Sequence, residues 1–430
     1  MSKKILVENL SDKELEKISK ELILTQEPSR YSYGTRGKQI FLLCHENNVI
    51  YVPFSYGKFP RPSRDFYTPK KSEDFFTGTL REEQISVKNE ALNLLNKKGS
   101  ILISAYCGFG KTLLSIYLAS KIKLRCLIIC HRIILVNQWK KAIETLCPKA
   151  TVQILGSKKT CENSDFFIIN ATNISKRPKT FYEKIGLCIV DEAHIIMAEK
   201  MSLCMQYLTP RYLIGLSATP YRTDGLNALL DLYFGTEKIT RELWKKHTVY
   251  KVDSGIKFET KLTKMGKVDW NFILESQGNH AQRNELIISL IKSFPDRVFL
   301  VLCKRISQAK HLSNRLREEG ESISILYGKT QTYSQENRIL IGTASKVGVG
   351  FDHPRLDTLL LASDIEQYFV QYLGRVFRTQ NAEPIIFDIV DRFPLLQKHY
   401  NTRKKVYLQH GGEIRDYGVE ENEKKAERNL

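Results

Sequence analysis

The sequence predicts an α/β protein with two tandem parallel-sheet domains, preceded by a small α+β N-terminal domain. Aliphatic runs alternate with segments of helical periodicity between about residues 76 and 400. These runs are continuously apolar, as in parallel strands that are covered on both faces. The same series of runs occurs twice along the chain, and this repetition predicts two domains of similar architecture.

The chain divides into five segments. Residues 1–75 are an accessory domain, 76–240 and 281–410 are the two parallel domains, 241–280 is a connector, and 411–430 is a loose, charged tail. The strand candidates are 100–104, 126–130, 165–170, 187–191 and 212–218 in the first domain, and 297–302, 322–327, 338–343, 357–363 and 384–390 in the second.

The N-terminal segment combines a capped helix with a basic, aromatic stretch. Ser11 and Glu14 have capping-box spacing, which predicts a helix from Ser11 to Leu22. Apolar runs at 40–44 and 49–54 flank Glu46-Asn47-Asn48 and predict a hairpin. Residues 30–71 hold eight Lys or Arg against two acids, interleaved with aromatic residues. This mixture favours stacking with single-stranded bases, although small β domains also use such rings as core.

The composition favours a polyanionic partner. The net charge is +19, and a basic surface that neutralises phosphates releases counterions. The nine cysteines show no metal-ligand spacing, so we expect reduced thiols without zinc or an iron–sulfur cluster. No apolar stretch has the length of a membrane span, and the amphipathic start does not read as a signal sequence. We therefore expect a soluble intracellular protein that is not secreted and has no membrane partner.

A phosphate-binding loop follows the first strand candidate. Strand, Gly-rich turn and helix are the geometry in which backbone N–H groups surround a phosphate chain. Lys111 then meets the terminal phosphates, and the Thr112 hydroxyl can bind Mg²⁺. The pattern GxxxxGK[ST] is missed only at its first position, Ala105. The predicted ATP-binding loop comprises Ala105, Tyr106, Cys107, Gly108, Phe109, Gly110, Lys111 and Thr112.

A pair of carboxylates ends a second apolar strand, in LCIVDEAH at 187–194. Asp191 can hold Mg²⁺ through water, and Glu192 can polarise the attacking water. Burying two acids after an apolar strand costs desolvation energy unless they have a partner, and the sequence shows no partner nearby. A catalytic role is therefore favoured over a purely structural one. Together with the phosphate loop, this pair predicts an ATPase.

The motif set as a whole resembles that of superfamily 2 helicases of the DEAH type. The residues Asp191-Glu-Ala-His194, SATP at 217–220 and QYLGRVFR at 371–378 carry the resemblance, which covers about 76–400. It implies two RecA-like domains with ATP at their interface. LREEQ at 80–84 resembles the family's adenine-recognition motif and implies that Gln84 reads the base.

The resemblance also implies roles for residues outside the phosphate loop. Arg375 and Arg378, three apart on a predicted helix, resemble arginine fingers that stabilise transition-state charge. Gly350 and Asp352 match a motif that contacts both ATP and the nucleic-acid strand. The residues implied to couple nucleotide state to the second domain are His194, Ser217, Thr219 and Gln371.

Nucleic-acid contacts are expected just after strands, at the edge where open α/β sheets bind ligands. ATPYRTDG at 218–225 and the segment 345–354 resemble the XPB-like branch of DNA helicases, with Thr223 in place of that branch's acid. The small basic N-terminal domain looks like that of viral relatives, namely phage UvsW-type branch-migration helicases and poxvirus transcript-release helicases. The contact candidates are Arg132, Gln138, Thr172, Arg222, Thr343 and Lys346.

These observations predict an ATP- and Mg²⁺-dependent DNA helicase or translocase of a virus or phage. It would act on single-stranded, forked or branched DNA in replication, recombination, repair or transcription, alongside other proteins of those processes. The resemblance implies 3′→5′ movement. An RNA helicase or transcript-release factor is the alternative, and a non-motor protein whose nucleic-acid affinity is switched by ATP is an alternative of another class. A motor subunit of a restriction complex is disfavoured because no PD-(D/E)xK-like nuclease segment is apparent.

Overall fold

The computed structural model of the chain describes two compact units, Met1–Arg241 and Glu242–Leu430, which are presented separately. The described residues are 2–25, 39–70, 76–106, 108–156, 163–196, 206, 208–218, 226–328, 330, 332–347, 353–365, 369–378 and 382–418. No helix within these ranges is long and apolar enough to cross a membrane.

The first unit begins with a small antiparallel region. Its elements are β1 (Ser2–Leu6), a 3₁₀ turn (Val7–Asn9), α1 (Asp12–Glu21), β2 (Ile23–Thr25), β3 (Gln39–Phe41), β4 (Cys44–Glu46), β5 (Val49–Pro53) and a second 3₁₀ turn (Arg64–Phe66). The predicted capping box is confirmed, since the Ser11 side chain accepts from Glu14 N while Glu14 accepts from Ser11 N. The predicted hairpin is confirmed in part. β5 pairs with β4, but the predicted first arm at 40–44 is divided between β3, which pairs with β2, and the first residue of β4. The turn between β4 and β5 contains Asn47 at φ 52°, a conformation that Asn tolerates better than most residues.

A parallel sheet forms the rest of the first unit. Its strands are β6 (Ser100–Ala105), β7 (Cys126–Cys130), β8 (Val152–Leu155), β9 (Phe166–Asn170), β10 (Leu187–Val190), β11 (Tyr212–Ser217) and β12 (Lys238–Arg241). Among the described residues their order is β12-β6-β11-β10-β7-β9-β8, with every pair parallel. The helices are α2 (Glu82–Lys98), α3 (Lys111–Ile122), α4 (Ile133–Leu146), a 3₁₀ segment (Ala171–Lys176), α5 (Lys179–Tyr182), α6 (Ala193–Ile196) and α7 (Asn227–Phe234).

The N-terminal region and the first sheet share one hydrophobic core. Ile5 and Ile50 from the antiparallel region belong to the same buried cluster as Leu102 and Leu127 from the parallel strands. Arg61 donates to the Arg211 carbonyl oxygen at 3.0 Å, and Arg64 donates to that of Ile122. Two of the arginines in the basic N-terminal stretch therefore fasten that stretch to the sheet domain.

The second unit contains another parallel sheet. Its strands are β13 (His247–Asp253), β14 (Phe299–Cys303), β15 (Ile323–Leu326), β16 (Ile339–Thr343), β17 (Thr358–Leu361), β18 (Ile385–Val390) and β19 (Gly412–Asp416). Within the described part of the chain their order is β15-β16-β14-β17-β18-β13-β19, again with parallel pairing throughout. The helices are α8 (Trp270–Asn279), α9 (Ala281–Ser293), α10 (Ile306–Glu318), α11 (Ala344–Val347), α12 (Phe369–Val376) and α13 (Pro394–Gln409).

Two segments differ from the sequence-based division. The segment 241–280, read as a connector, contributes strand β13 and helix α8, and β13 pairs with both β18 and β19. The tail from Gly411, read as loose, contributes β19 at the edge of the second sheet. β19 is at the edge of the sheet and β13 is next to it. Both are only partly buried and carry charged residues among apolar ones, so a continuous apolar run is absent. The sequence also did not indicate β8 and β12. They are the two edge strands of the first sheet and are likewise only partly buried.

Asp391 organises a buried polar cluster in the second unit. Its carboxylate accepts from Arg283 Nε at 3.0 Å, from Gln277 Nε2 at 2.6 Å and from Ser254 Oγ at 2.6 Å. Both charged side chains of the Arg283–Asp391 pair are fully buried. The adjacent Arg392 instead forms an exposed ion pair with Asp253.

Removing the Asp391 charge should destabilise the second unit strongly. Asp391→Ala leaves the Arg283 guanidinium buried without its counter-ion, which typically costs about 3–5 kcal/mol of unfolding free energy. Denaturant unfolding of the full chain, followed by a probe in the second unit, measures this loss. Arg392→Ala is the matched control and should leave that transition almost unchanged, because exposed pairs contribute little. Equal effects of the two substitutions would contradict the role assigned to the buried pair.

Candidate functional site

The loop between β6 and α3 has the backbone geometry that a phosphate site requires. Gly108 and Gly110 adopt φ of 95° and 86°, and Gly110 is the N-cap of α3. Side chains rarely occupy this left-handed region, so glycine is needed at both positions. The helix begins at Lys111, and its first-turn N–H groups therefore face the loop. Of the predicted loop residues, Cys107 lies outside the described residues.

The Lys111 ammonium group lies within the loop. Its Nζ donates to the Ala105 carbonyl oxygen at 2.6 Å and to the Tyr106 carbonyl oxygen at 3.2 Å. Ala105 is the last residue of β6, so the lysine reaches back over the turn to the end of the strand. This position puts a positive charge where the backbone N–H groups converge, and the arrangement suits a phosphate chain.

Helix α2 supports the loop through two side chains. Gln84 is buried, and its Nε2 donates to the Phe109 carbonyl oxygen at 2.7 Å while its Oε1 accepts from Arg81 N at 2.8 Å. Arg81 Nη2 donates to the Gly108 carbonyl oxygen at 3.0 Å. Both ends of the Gln84 amide are thus bonded to protein atoms, and the amide fixes the loop. Contact between Gln84 and an adenine base stays a prediction.

The two predicted carboxylates follow β10 at the same sheet edge. Asp191 Oδ2 accepts from Trp139 Nε1 at 2.8 Å, and its Oδ1 accepts from Glu192 N at 3.1 Å. Burial and the neighbouring Glu192 carboxylate raise the pKa of Asp191 to about 6, while the Trp139 hydrogen bond and the Lys111 charge act in the opposite direction. Lys111 and Asp191, 80 positions apart in sequence, are therefore close enough to interact electrostatically.

A histidine connects this carboxylate pair to the next strand. His194 Nδ1 lies 2.8 Å from Ser217 Oγ and 3.6 Å from Glu192 Oε2. Ser217 is the last residue of β11, the strand between β10 and the phosphate-loop strand β6. Two of the predicted coupling residues, His194 and Ser217, are thus in direct contact. Thr219 lies outside the described residues.

The residues present fit a magnesium site. The Thr112 hydroxyl and the Asp191 carboxylate are oxygen donors of the kind that Mg²⁺ prefers, and two hydrogen bonds orient the carboxylate. Within the described ranges, no group of three or more His, Cys, Asp and Glu side chains could hold a metal ion.

In the second unit, the predicted arginine fingers lie on and just after α12. Arg375 and Gln371 are largely buried within this helix, and Tyr372 Oη donates to the Ala344 carbonyl oxygen at 2.8 Å. The helix ends at Val376, so Arg378 lies in the turn that follows it. The shared face that the spacing of Arg375 and Arg378 suggests stays a prediction. The last helical hydrogen bond runs from Phe377 N to Leu373 O. Delivery of either arginine to a γ-phosphate stays a prediction.

The described nucleic-acid contact candidates lie at the ends of strands, just after them or on the helices that follow. In the first unit Arg132 and Thr172 are exposed after the paired strands β7 and β9, and Gln138 is exposed on α4. In the second unit, Thr343 is buried at the end of β16 and Lys346 is partly exposed on α11. These roles stay predictions. Arg222, Gly350 and Asp352 lie outside the described residues, as does Thr223.

The aromatic residues of the basic N-terminal stretch are used mainly for packing where the structure describes them. Tyr67 is buried, and its hydroxyl donates to the Thr209 carbonyl oxygen at 2.9 Å. Tyr56 and Phe59 pack against the core of the first unit. Two rings are instead exposed: Phe41, and Phe66 beneath the Lys184 ammonium group. The described rings therefore favour the core interpretation over base stacking.

Sequence reasoning gave no role to two residues that border the carboxylates. Trp139 orients Asp191 through a hydrogen bond. The sequence could have indicated such a role, because the indole N–H of a buried tryptophan usually donates to a polar partner. His131 follows β7, and burial together with the charges of Arg132 and His194 lowers its pKa to about 4. His131 is therefore a neutral ring beside the site at physiological pH, which no sequence pattern indicated.

The Gly110 backbone yields a direct test of the loop. A β carbon at Gly110 would lie 2.4 Å from Gln84 Nε2, and its φ of +86° is strained for any other residue. Gly110→Ala should weaken nucleotide binding by about tenfold or more, since left-handed strain alone costs about 1–2 kcal/mol. Equilibrium binding of a labelled nucleotide measures this affinity. Gly156→Ala is the control, because its β carbon would meet no heavy atom of the described residues within 4 Å. Unchanged affinity in Gly110→Ala would refute the loop assignment.

Comparisons with known proteins agree with this site. Residues 77–222 match the family model described as type III restriction enzyme, res subunit. The matched range contains the phosphate loop and both carboxylates, so the match concerns the ATP-binding part of the chain. The described geometry and this match point to the same nucleotide-binding domain.

Two viral relatives match most of the chain. "Putative helicase 161L" of Invertebrate iridescent virus 6 is 40% identical over 447 residues, covering 97% of this chain and 100% of the relative. "Putative helicase 055L" of Frog virus 3 is 29% identical over 377 residues, covering 85% of this chain and 86% of the relative. Both matches extend well beyond the ATP-binding domain.

A solved structure supports the fold. Dbp5 of S. cerevisiae bound to RNA and ADP BeF3 aligns with a TM-score of 0.57 and 15% identity, covering 81% of this chain and 97% of that chain. The tandem RecA-like architecture of the two units is thus shared with a known helicase structure. Since a full-length relative shares 40% of its residues, the chain belongs to the superfamily 2 helicases, in a group with viral members.

Proposed function

We propose that this protein couples ATP hydrolysis to movement along DNA and to separation or remodelling of its strands. The convergence of Lys111, Asp191 and Glu192 at one sheet edge is the observation that carries this proposal. It provides a phosphate cradle, a metal-binding carboxylate and a second carboxylate for the attacking water within one domain. A protein that only bound ATP would have no need of the second carboxylate.

The residues of the first unit have distinct roles in hydrolysis. The loop N–H groups and Lys111 bind the β- and γ-phosphates, which requires the ammonium group to turn from the Ala105 and Tyr106 carbonyls toward the nucleotide. Mg²⁺ held at Thr112 and Asp191 would neutralise charge on the phosphate oxygens. Glu192 orients and polarises the attacking water, and His194 transmits the state of that carboxylate to Ser217.

The second unit completes the proposed cycle. Arg375 and Arg378 stabilise charge on the transferred phosphoryl group when the two RecA-like domains close on ATP. ATP thereby favours the closed state through contacts made only in that state, and hydrolysis releases them. Gly350, Asp352 and the strand-end candidates in both units grip the phosphate backbone alternately, and this alternation gives directed stepping.

DNA is the proposed substrate. The net charge of +19 supports binding to nucleic acid in general, and the resemblance of segments 218–225 and 345–354 to the XPB-like branch favours DNA and 3′→5′ movement. ATPase and strand-displacement assays on forked DNA, Holliday-type junctions, duplex RNA and RNA–DNA hybrids at fixed salt test this choice. DNA should stimulate hydrolysis and be unwound. Stimulation by RNA alone would overturn the DNA proposal in favour of a transcript-directed motor.

A Glu192→Gln variant separates the motor from an ATP-operated switch. The substitution keeps the size of the side chain but removes the carboxylate that activates water, so ATP binding should persist while strand displacement stops. Asp12→Asn, an exposed substitution in α1, is a charge-matched control. If the Glu192→Gln protein with ATP acts on nucleic acid as fully as the unsubstituted protein, the result would favour a non-motor protein whose nucleic-acid affinity is switched by ATP.

Lys111→Ala should reduce ATP turnover by roughly a hundredfold or more, because its charge stabilises the phosphates during transfer. Nucleic-acid binding without ATP should be retained. Steady-state ATPase rates and fluorescence anisotropy measure the two properties. Lys121→Ala, at the far end of the same helix, should behave like the unsubstituted protein. Undiminished turnover in Lys111→Ala would refute its role.

Arg378→Ala should lower the rate of hydrolysis far more than the affinity for ATP. An arginine finger acts mainly in the transition state, and its loss costs about a thousandfold in turnover. Single-turnover kinetics together with nucleotide titration distinguish the two effects. Arg355→Ala, which removes an exposed arginine paired with Glu336 in the same unit, is the control. Equal losses in affinity and rate would contradict the finger assignment.

A further inference from the structure

A short β-hairpin, which we call the tip hairpin, projects from the second unit at Lys261–Val268. Leu262 and Val268 form an antiparallel bridge, and Thr263 N donates to the Lys267 carbonyl oxygen at 2.7 Å. Gly266, with φ of +70°, closes the turn. The segment is thus a defined turn with its own hydrogen bonds.

The tip hairpin combines exposed apolar side chains with positive charge. Met265 is 86% exposed at the turn and Leu262 is 57% exposed beside it. The segment also carries Lys261, Lys264 and Lys267, and its sequence contains no acidic residue. Apolar groups grouped in an exposed position commonly mark a contact surface, and the lysines favour a polyanion as the partner.

The base of the tip hairpin is firmly attached to the second unit. Val268 packs against a small buried cluster formed by Ile273, Phe393 and Leu396. Asp269 N donates to the Lys261 carbonyl oxygen at 2.8 Å, and the Asp269 side chain caps helix α8. The tip is therefore held on a packed base, so a force applied to it is transmitted to the domain.

The attachment lies at the same edge of the sheet as the second unit's nucleic-acid contact candidates. Phe393 follows strand β18, and Arg305, which follows β14, donates to Asn271 Oδ1 on α8 at 2.7 Å. Thr343 is the last residue of β16 and Lys346 follows that strand. The carboxyl end of β16 is at this edge because β16, β14, β17 and β18 are all parallel. The tip hairpin is thus anchored at the sheet edge where the second unit is expected to grip a strand.

We propose that the tip hairpin contacts the duplex junction: Met265 and Leu262 pack on or between bases while its lysines neutralise the flanking phosphates. Apolar side chains that enter a base step unstack it, and methionine and leucine are among those that proteins use. Movement of the second unit then pulls the duplex against an apolar wedge. The inference rests on the proposed function and identifies the element that separates the strands.

The first test uncouples separation from hydrolysis. The double substitution Leu262→Ser and Met265→Ser should lower strand displacement per ATP hydrolysed by about tenfold, the factor that corresponds to about 1.4 kcal/mol of lost base contact. Stimulated ATPase activity should remain within about twofold of the unsubstituted level, because the double substitution leaves intact every residue that we assign to nucleotide binding and hydrolysis. The matched control is Leu408→Ser, on helix α13, where the leucine is 56% exposed.

The second test detects the contact itself. A 2-aminopurine base at the fork junction should brighten when the full chain binds with a non-hydrolysable ATP analogue, because unstacking relieves its quenching, and the Ser double variant should not brighten it. The substitutions Lys264→Gln and Lys267→Gln together should lower the slope of log affinity against log salt by about 2. Lys310→Gln, exposed on α10, is the control for charge.

The outcomes distinguish this inference from the function on which it rests. If the unsubstituted protein shows no nucleic-acid-stimulated ATPase, the proposed function fails. If it is a working motor and the Ser double variant displaces strands normally, or if the 2-aminopurine signal is the same in both proteins, the wedge is overturned. Binding of the tip hairpin to anionic lipid vesicles in preference to forked DNA would also overturn it.

Discussion

The parallel pairing of β6, β11 and β10 is the constraint on which the ATP site depends. Ser217 is in register with Ser104, and Gly215 with Val190, so the three strands end side by side. Parallel strands bring their carboxyl ends to one edge, and segments far apart in sequence therefore meet there. The phosphate loop, the carboxylate pair and Ser217 become a single site without any loop having to span the domain.

Fully buried strands could be predicted from sequence, whereas several partly exposed strands could not. Runs such as those at 126–130 and 299–303 are buried along their whole length, and their sequences are continuously apolar. His247–Asp253 and Gly412–Asp416 are partly exposed and carry charges, so their sequences resemble loops. His247–Asp253 forms a strand by pairing with one side of β18. Gly412–Asp416 then pairs with the other side of that new strand.

The candidate site divides in a similar way. The spacing of its motifs identified Lys111, Asp191 and Glu192 because short-range patterns record local backbone geometry. The hydrogen bonds from Trp139 to Asp191 and from Gln84 to the loop join separate elements, and no local pattern records such contacts. The resemblance implied only that His194 and Ser217 share a coupling role. The order of the strands brings the two side chains into direct contact at 2.8 Å.

The backbone at Glu192 has a consequence for how this site can evolve. This residue adopts φ of 50°, in the left-handed region that costs a side-chain-bearing residue roughly 1–2 kcal/mol. Asn or Gly would relax that strain but would remove the carboxylate. On the role proposed for Glu192, selection for turnover retains this strained residue, whereas selection for stability alone favours its replacement by Asn or Gly.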